Sequence, residues 1–188
     1  NPHYAAPGLT KNISTYGHPA PVYPTSVPDP WRRARAADPA WVRFYGEAEA
    51  TANGYFTAAS GQTIYQGELL PEKYDGSHFS VDNAQNLVHR CLLEPDGVTY
   101  GARRPREEEE TEFLTSTEQW FRPVNLATGP DGALYVVDMY RDIIEDYSAI
   151  PRHLQQVYVE SLIAGADRGR IWRIVPDRDV DAPFDDLN

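Results

Sequence analysis

Cysteine is almost missing from this chain: Cys91 stands alone among 188 residues. No disulfide can close within the chain, and no CxxCH haem attachment or thiolate metal cluster can form. Cys91 follows His89 and Arg90, which would suit a reactive thiol. It also lies between Leu87, Val88 and Leu92, Leu93, which reads as a buried strand cysteine. Long apolar runs are missing too. The longest clean stretch, Ala133 to Val137, falls far short of the ~20 residues of a membrane-spanning helix, so no transmembrane segment is expected. Basic charge is in short supply, with 17 Lys plus Arg against 28 Asp plus Glu and a net charge of -11. That argues against nucleic acid as a partner, which needs a basic surface, and gives little attraction to anionic lipid. An acidic surface could receive a basic partner, but solubility is the plainer reading. Neither GxGxxG nor GxxxxGK[ST] occurs, so no nucleotide-binding loop is suggested. No Ser-His-Asp set stands out. The first residue is Asn1, which fits a removed leader or a piece of something longer.

What is present describes a folded protein. Hydrophobic content is 41% and aromatic content 12%. The length suits one domain with a core plus an arm. The arm is expected over residues 1–54. Residues 1–50 hold eight of the sixteen prolines: Pro2, Pro7, Pro19, Pro21, Pro24, Pro28, Pro30 and Pro39. Proline fixes φ, removes a donor and pushes its predecessor out of the helical region. A long extended N-terminal arm follows. Its aromatics (Tyr4, Tyr16, Tyr23, Trp31, Trp41) either drape over a partner surface or fold back on their own domain. Both remain open.

Residues 55–188 read as mainly β. Thr63 to Tyr65, His78 to Val81, Leu87 to Leu93 and Val98 to Ala102 are short strand patterns, rich in β-branched and aromatic residues. RRPR followed by EEEETE reads as a solvated loop of opposed charge blocks. Adjacent carboxylates without turn residues rarely converge on one ion, so no metal site is expected there. Pro130-Asp131-Gly132 repeats Pro95-Asp96-Gly97 after 35 residues, and Tyr follows at the same offset in PDGVTY and PDGALY. A turn and strand recurring at this distance is a repeat signature, with propeller blades of ~40–50 residues the nearest match. Ala133 to Val137 reads as a strand covered on both faces. One short helix is expected near 151–164, opened by Pro151 and ended by Gly165. In DRGRIWRIVP, Arg170, Trp172 and Ile174 face one way, and Ile171, Arg173 and Val175 the other. The acidic tail 177–188 is expected to be loose. The fold class expected is thus a partial β-propeller of about two blades of antiparallel strands.

Longer runs carry a family resemblance. WFRPVNLATGPDGALYVVDMYRDIIE, followed by IP and DRGRIWRIVP, resembles the closing part of the propeller in a family of membrane-bound dehydrogenases. That family is similar to the quinoprotein glucose/sorbosone dehydrogenases. SGQTIYQGELLPEKYDG and NLVHRCLLEPDGVTYGARR resemble the preceding blade, and NPHYAAPG a connecting segment. The resemblance implies a six- or seven-bladed propeller, exported to the periplasm and often joined to a CxxCH domain. It also implies kinship with enzymes that use pyrroloquinoline quinone and calcium. This chain has no CxxCH and material for only about two blades. A stack of fewer than ~3 such units rarely stands alone, because each unit buries its face on its neighbours. Bare sheet faces and unpaired edges then invite association.

The resemblance places an active site at the axial end of the blades, and by position Arg122, Asp138, Tyr140 and Arg141 come closest. Arg122, with Tyr140 and Arg141, is a candidate for holding the quinone, since guanidinium pairs bidentately with carboxylate. Asp138 is a candidate base or calcium ligand. The competing reading is structural: Asp138 paired with Arg141 and Arg122 with a nearby Glu. His89 is the candidate proton acceptor from a sugar hydroxyl, although its place inside NLVHR also suits a structural histidine. His3, His18, His78 and His153 lack metal-ligand spacing. Arg168 and Arg170, which flank Gly169, are explained by a turn contact with Asp167.

Three functions are weighed. The favoured one is a non-catalytic structural subunit. It would be a dehydrogenase-like propeller remnant, peripheral to a larger periplasmic, membrane-associated electron-transfer complex, respiratory or photosynthetic. It would meet other protein subunits and carry no cofactor of its own. The alternative is a fragment of a quinone-dependent sugar or alcohol dehydrogenase, with pyrroloquinoline quinone and calcium as cofactors. A small carbohydrate-binding β module rests on aromatic content alone.

Overall fold

A computed structural model describes residues 25–28, 30–45, 54–144, 150 and 152–177. The chain divides into two units, 1–58 and 59–188. In the first, α1 spans Pro30–Ala37 and α2 spans Pro39–Tyr45. This differs from the extended chain expected throughout the arm. The reason is position: a proline at the first helical residue loses no hydrogen bond, and its fixed φ suits the helix. Asp38 Oδ1 accepts the Ala40 N–H at 2.9 Å and so caps α2. Before α1, the N–H groups of Thr25 and Ser26 both donate to the Gly54 carbonyl, at 2.7 and 3.0 Å. Tyr4, Tyr16 and Tyr23, His3 and His18, and the tail from 178 onward lie outside the described residues.

The second unit is mainly β, with two antiparallel sheets. Strands β1 (Ala59–Ile64), β2 (His78–Asp82), β3 (Leu87–Asp96) and β4 (Thr99–Arg103) follow one another side by side, and β5 (Leu114–Thr115) also pairs with β3. Strands β6 (Pro123–Thr128), β7 (Leu134–Asp138) and β8 (Arg170–Ile174) form the second sheet, again in sequence order. These two meanders stand where about two blades were expected. Neither sheet closes on itself. Two short helices, α3 (Arg152–Val157) and α4 (Val159–Ile163), occupy the helical stretch.

The sheets share one core. Val81 and Val88 from the first meet Leu126, Leu134 and Val136 from the second, with Tyr65, Phe79 and Phe121 among them. Phe79 lies edge-on to Phe113, centroids 4.8 Å apart. Two register shifts meet at this junction, one in β1 between Ser60 and Gln62 and one in β6 between Pro123 and Asn125. Gly61 sits at the first, where a Cβ would fall 2.5 Å from the Asn125 Cα. Only glycine allows the two backbones so close.

Two expectations change. The charge block after β4 is built into the fold: Glu108 and Glu112 are buried rather than solvated. Buried basic groups on β3 require buried acids, which overrides the solubility of the run. The stretch Ala133 to Val137 is fully covered on one face, while on the other Ala133 is buried but the cover is lost by Val137. Leu134 and Val136 enter the core, whereas Val137 is 37% exposed. The PDG turns do both close hairpins, yet β4 is exposed along its length while β7 is the central strand of its sheet.

Tyr65 joins the sheets by its hydroxyl, which donates to the Gly132 carbonyl at 2.6 Å and accepts the Leu70 N–H at 2.8 Å. Tyr65→Phe leaves both groups without this partner and costs about 1–3 kcal/mol. Urea unfolding of the two proteins measures it, and an unchanged midpoint would show that the hydroxyl carries no weight.

Candidate functional site

Asp138 ends β7, and its side chain lies on the core-facing side with 1% of the residue exposed. Its Oδ1 accepts the N–H groups of Arg122 and Tyr140, at 2.8 and 2.9 Å. Its Oδ2 accepts Arg170 Nε at 2.9 Å and Trp172 Nε1 at 3.1 Å. Four donors fill the four acceptor directions of one carboxylate. Burial pushes its pKa up, but the Arg122 N–H, Arg170, Trp172 and Tyr140 N–H together outweigh that and hold it below the ordinary value.

The other expected residues gather round this carboxylate. Arg122 donates from Nε to the Arg141 carbonyl at 3.0 Å and from Nη2 to the Asp142 carbonyl at 2.7 Å. Its Nη1 reaches the Asn83 carbonyl at 3.2 Å and Asn86 Oδ1 at 3.4 Å, in the β2–β3 turn. Arg122 therefore ties the end of one sheet to a turn of the other. Arg141 donates to the carbonyls of Met139 and Tyr140, at 3.3 and 3.2 Å, and to those of Gly165 and Ala166. Tyr140 has φ 53, a strained value for a tyrosine. Its ring packs edge-on to Trp120 at 5.5 Å, and the Arg170 guanidinium lies 4.0 Å from its centroid. Gly165 has φ 82, and a Cβ there would meet the Tyr140 carbonyl oxygen at 2.3 Å.

These contacts correct one local pairing. Asp138 pairs with Arg170, not Arg141, because Arg170 faces it across the β7–β8 ladder. Arg122 bonds carbonyl oxygens and the Asn86 amide oxygen. With four donors on it, Asp138 has no acceptor left for a calcium ion or a substrate proton, and Arg141 is committed to the 165–166 turn. As they stand, these residues do not fit a bound quinone and its calcium. Of the two arginines expected on Asp167, Arg168 meets it, with Nε 3.8 Å from Oδ1, whereas Arg170 turns across the ladder to Asp138.

His89 is not part of this group. It lies on β3, 4% exposed, with Nδ1 2.8 Å from Glu112 Oε2. Arg104 Nη2 donates to Glu112 Oε1 at 2.7 Å, and Nη1 donates to the Glu108 and Thr111 carbonyls. Next along β3, Arg90 is 1% exposed. It binds Ser77, Glu107, Glu108 and the Lys73 carbonyl, over the face of Tyr74. The sequence pattern did not single out Arg90, Arg104 or Glu112 as site residues. One signal was available: two basic residues inside an apolar strand, followed closely by a run of glutamates. Cys91 Sγ lies 3.5 Å from His78 Nδ1, and His78 Nε2 lies 3.0 Å from Gln62 Oε1. Burial pushes the thiol pKa up and the imidazole down, so both are held neutral. Among the described residues no three His, Cys, Asp or Glu side chains converge on a metal position. Among them, too, no helix is long and apolar enough to cross a membrane.

A family model described as a domain of unknown function (DUF7133) matches residues 1–178. No curated protein and no solved structure matches the chain.

Asp138→Asn sets an amide donor against donors, and should cost about 2–3 kcal/mol at neutral pH. The wild-type contribution has a definite sign. A carboxylate with a depressed folded pKa stabilises above its unfolded value of about 3.9 and loses that as pH falls through the folded value. Unfolding free energy should therefore fall below about pH 4 in the wild type, more steeply than in Asp138→Asn. Equal slopes would remove Asp138 from this role.

Proposed function

The chain belongs to the DUF7133 family, and from that premise we propose that it is a non-catalytic docking subunit. One observation carries the reading: the outward face of the β6–β7–β8 sheet has no described cover. Val137 is 37%, Ile171 66% and Val175 47% exposed on that face. Asn125 and Ala127 extend it on β6. Arg173, also on this side, is bound to Asp131 at 2.6 Å and so does not stand as a loose charge. Exposed apolar residues with polar ones beside them have the composition of a buried interface core and its rim. Burying it is worth about 25 cal/mol per Å² of apolar surface.

The second support is negative for chemistry at the group around Asp138. Arg122 and Arg141 hold backbone carbonyls and Asp138 is filled by four donors, which favours a structural part over a reacting one. The resemblance of WFRPVNLATGPDGALYVVDMY and DRGRIWRIVP to a dehydrogenase propeller then suggests the setting. The partners are other protein subunits of a periplasmic, membrane-associated electron-transfer complex, respiratory or photosynthetic.

Val137→Asp and Val175→Asp put charge on the face at positions already in contact with water. Each should change folding stability by no more than about 1 kcal/mol, yet release the chain from its native assembly. Size analysis of the native complex with each variant measures this. Intact assembly with both variants would sink the face as the docking surface. Dye-linked sugar oxidation by this chain with added pyrroloquinoline quinone and calcium would overturn the non-catalytic reading.

A further inference from the structure

Among the described residues, β8 pairs with β7 and with no other strand, so its far side is an open edge. Among the described residues, too, no backbone hydrogen bond is made on that side of 170–174. Such an edge is a template for one more strand. Arg170 lies on it in an unusual state. Its Nε is held by Asp138 Oδ2 at 2.9 Å. Its guanidinium carbon lies 4.0 Å from the Tyr140 centroid and 4.7 Å from that of Trp172. The side chain is 37% exposed, and its two Nη atoms have no partner among the described residues. The group is thus oriented in advance, with two donors remaining for an anion. Arg168 stands close by, its side chain 66% exposed. On the opposite face of the same strand, Ile171 is 66% exposed.

We propose that the edge of β8 takes up an extended acidic segment of a partner chain, with a carboxylate on the Nη atoms of Arg170 and an apolar side chain over Ile171. Successive side chains of an added strand fall on opposite faces. The matching segment therefore alternates acidic and apolar residues. A second copy of this chain fits less well. It would set Arg168, Arg170 and Arg173 near their own counterparts, in two molecules each carrying a net charge of -11. The proposal rests on the docking reading only for the source of the segment; binding at the edge is a property of this chain alone.

The test is titration with a ten-residue peptide alternating Glu and Val, and with its Lys–Val counterpart, followed by amide NMR shifts. The acidic peptide should bind with shifts centred on residues 170–174, and the basic one should not. Arg170→Gln and Ile171→Asp should each weaken binding by about tenfold. Arg170 also supports Asp138, so Ile171→Asp, at a water-exposed position, keeps the test independent of folding. Equal binding of both peptides, shifts away from β8, or indifference to Ile171→Asp would overturn the proposal. So would concentration-dependent dimerisation that protects the β8 amides, which would place a second copy there. If the peptide binds but the native chain has no partner, this inference stands and the docking reading fails. A native partner with no peptide binding at β8 reverses that outcome.

Discussion

The buried carboxylate of Asp138 is the constraint around which the β6–β8 half is arranged. A charge so deep is tolerable only when each lone pair has a donor. Those donors come from four places: the residue before β6, the second residue past the end of β7, and two positions of β8. Meeting the carboxylate thus sets the register of three strands at one end of the sheet. It also places Arg122, whose guanidinium then reaches the β2–β3 turn. One unmet charge is therefore converted into order across two sheets.

The other half meets the same problem with opposite signs. There the buried charge is basic, in Arg90, and the answer comes from the acidic run, through Glu107 and Glu108. His89 and Glu112, with Arg104, make a second bridge beside it. The loop after β4 is held down by these bonds, over an aromatic pair of Tyr74 and Phe113 with centroids 5.6 Å apart. Polar networks of this kind specify arrangement more than they add stability. They also explain why charged residues that suggested chemistry serve the fold.

With the charges satisfied inside, what remains outside is unusual. Among the described residues, an acidic protein presents an exposed sheet face with apolar residues and an edge strand that carries arginines. Natural edges are commonly blunted by charge. Here the arginines are partly neutralised from beneath, by Asp138 and Asp131. The edge is therefore less repellent to a further strand than its sequence suggests. The docking proposals both follow from that balance.

Much of this was written in local pattern. Alternation in RIWRI correctly put Arg170 and Trp172 on one face, and both reach Asp138. Strand positions, the PDG hairpin turns and the helical stretch near 151–164 were legible, because period and turn chemistry act over a few neighbours. The gathering of Arg122, Asp138, Tyr140 and Arg141 was legible through resemblance. Their bonds were not, since choosing Arg170 over Arg141 depends on a strand 32 residues away in sequence. Nor could the chain show that its glutamates would fold inward, or that Val137 would stay wet beside a buried Val136. Local sequence determined which residues form strands and which way each points. Only tertiary structure decided which charges meet and which face lacks cover among the described residues, because both depend on surfaces brought together from distant parts of the chain.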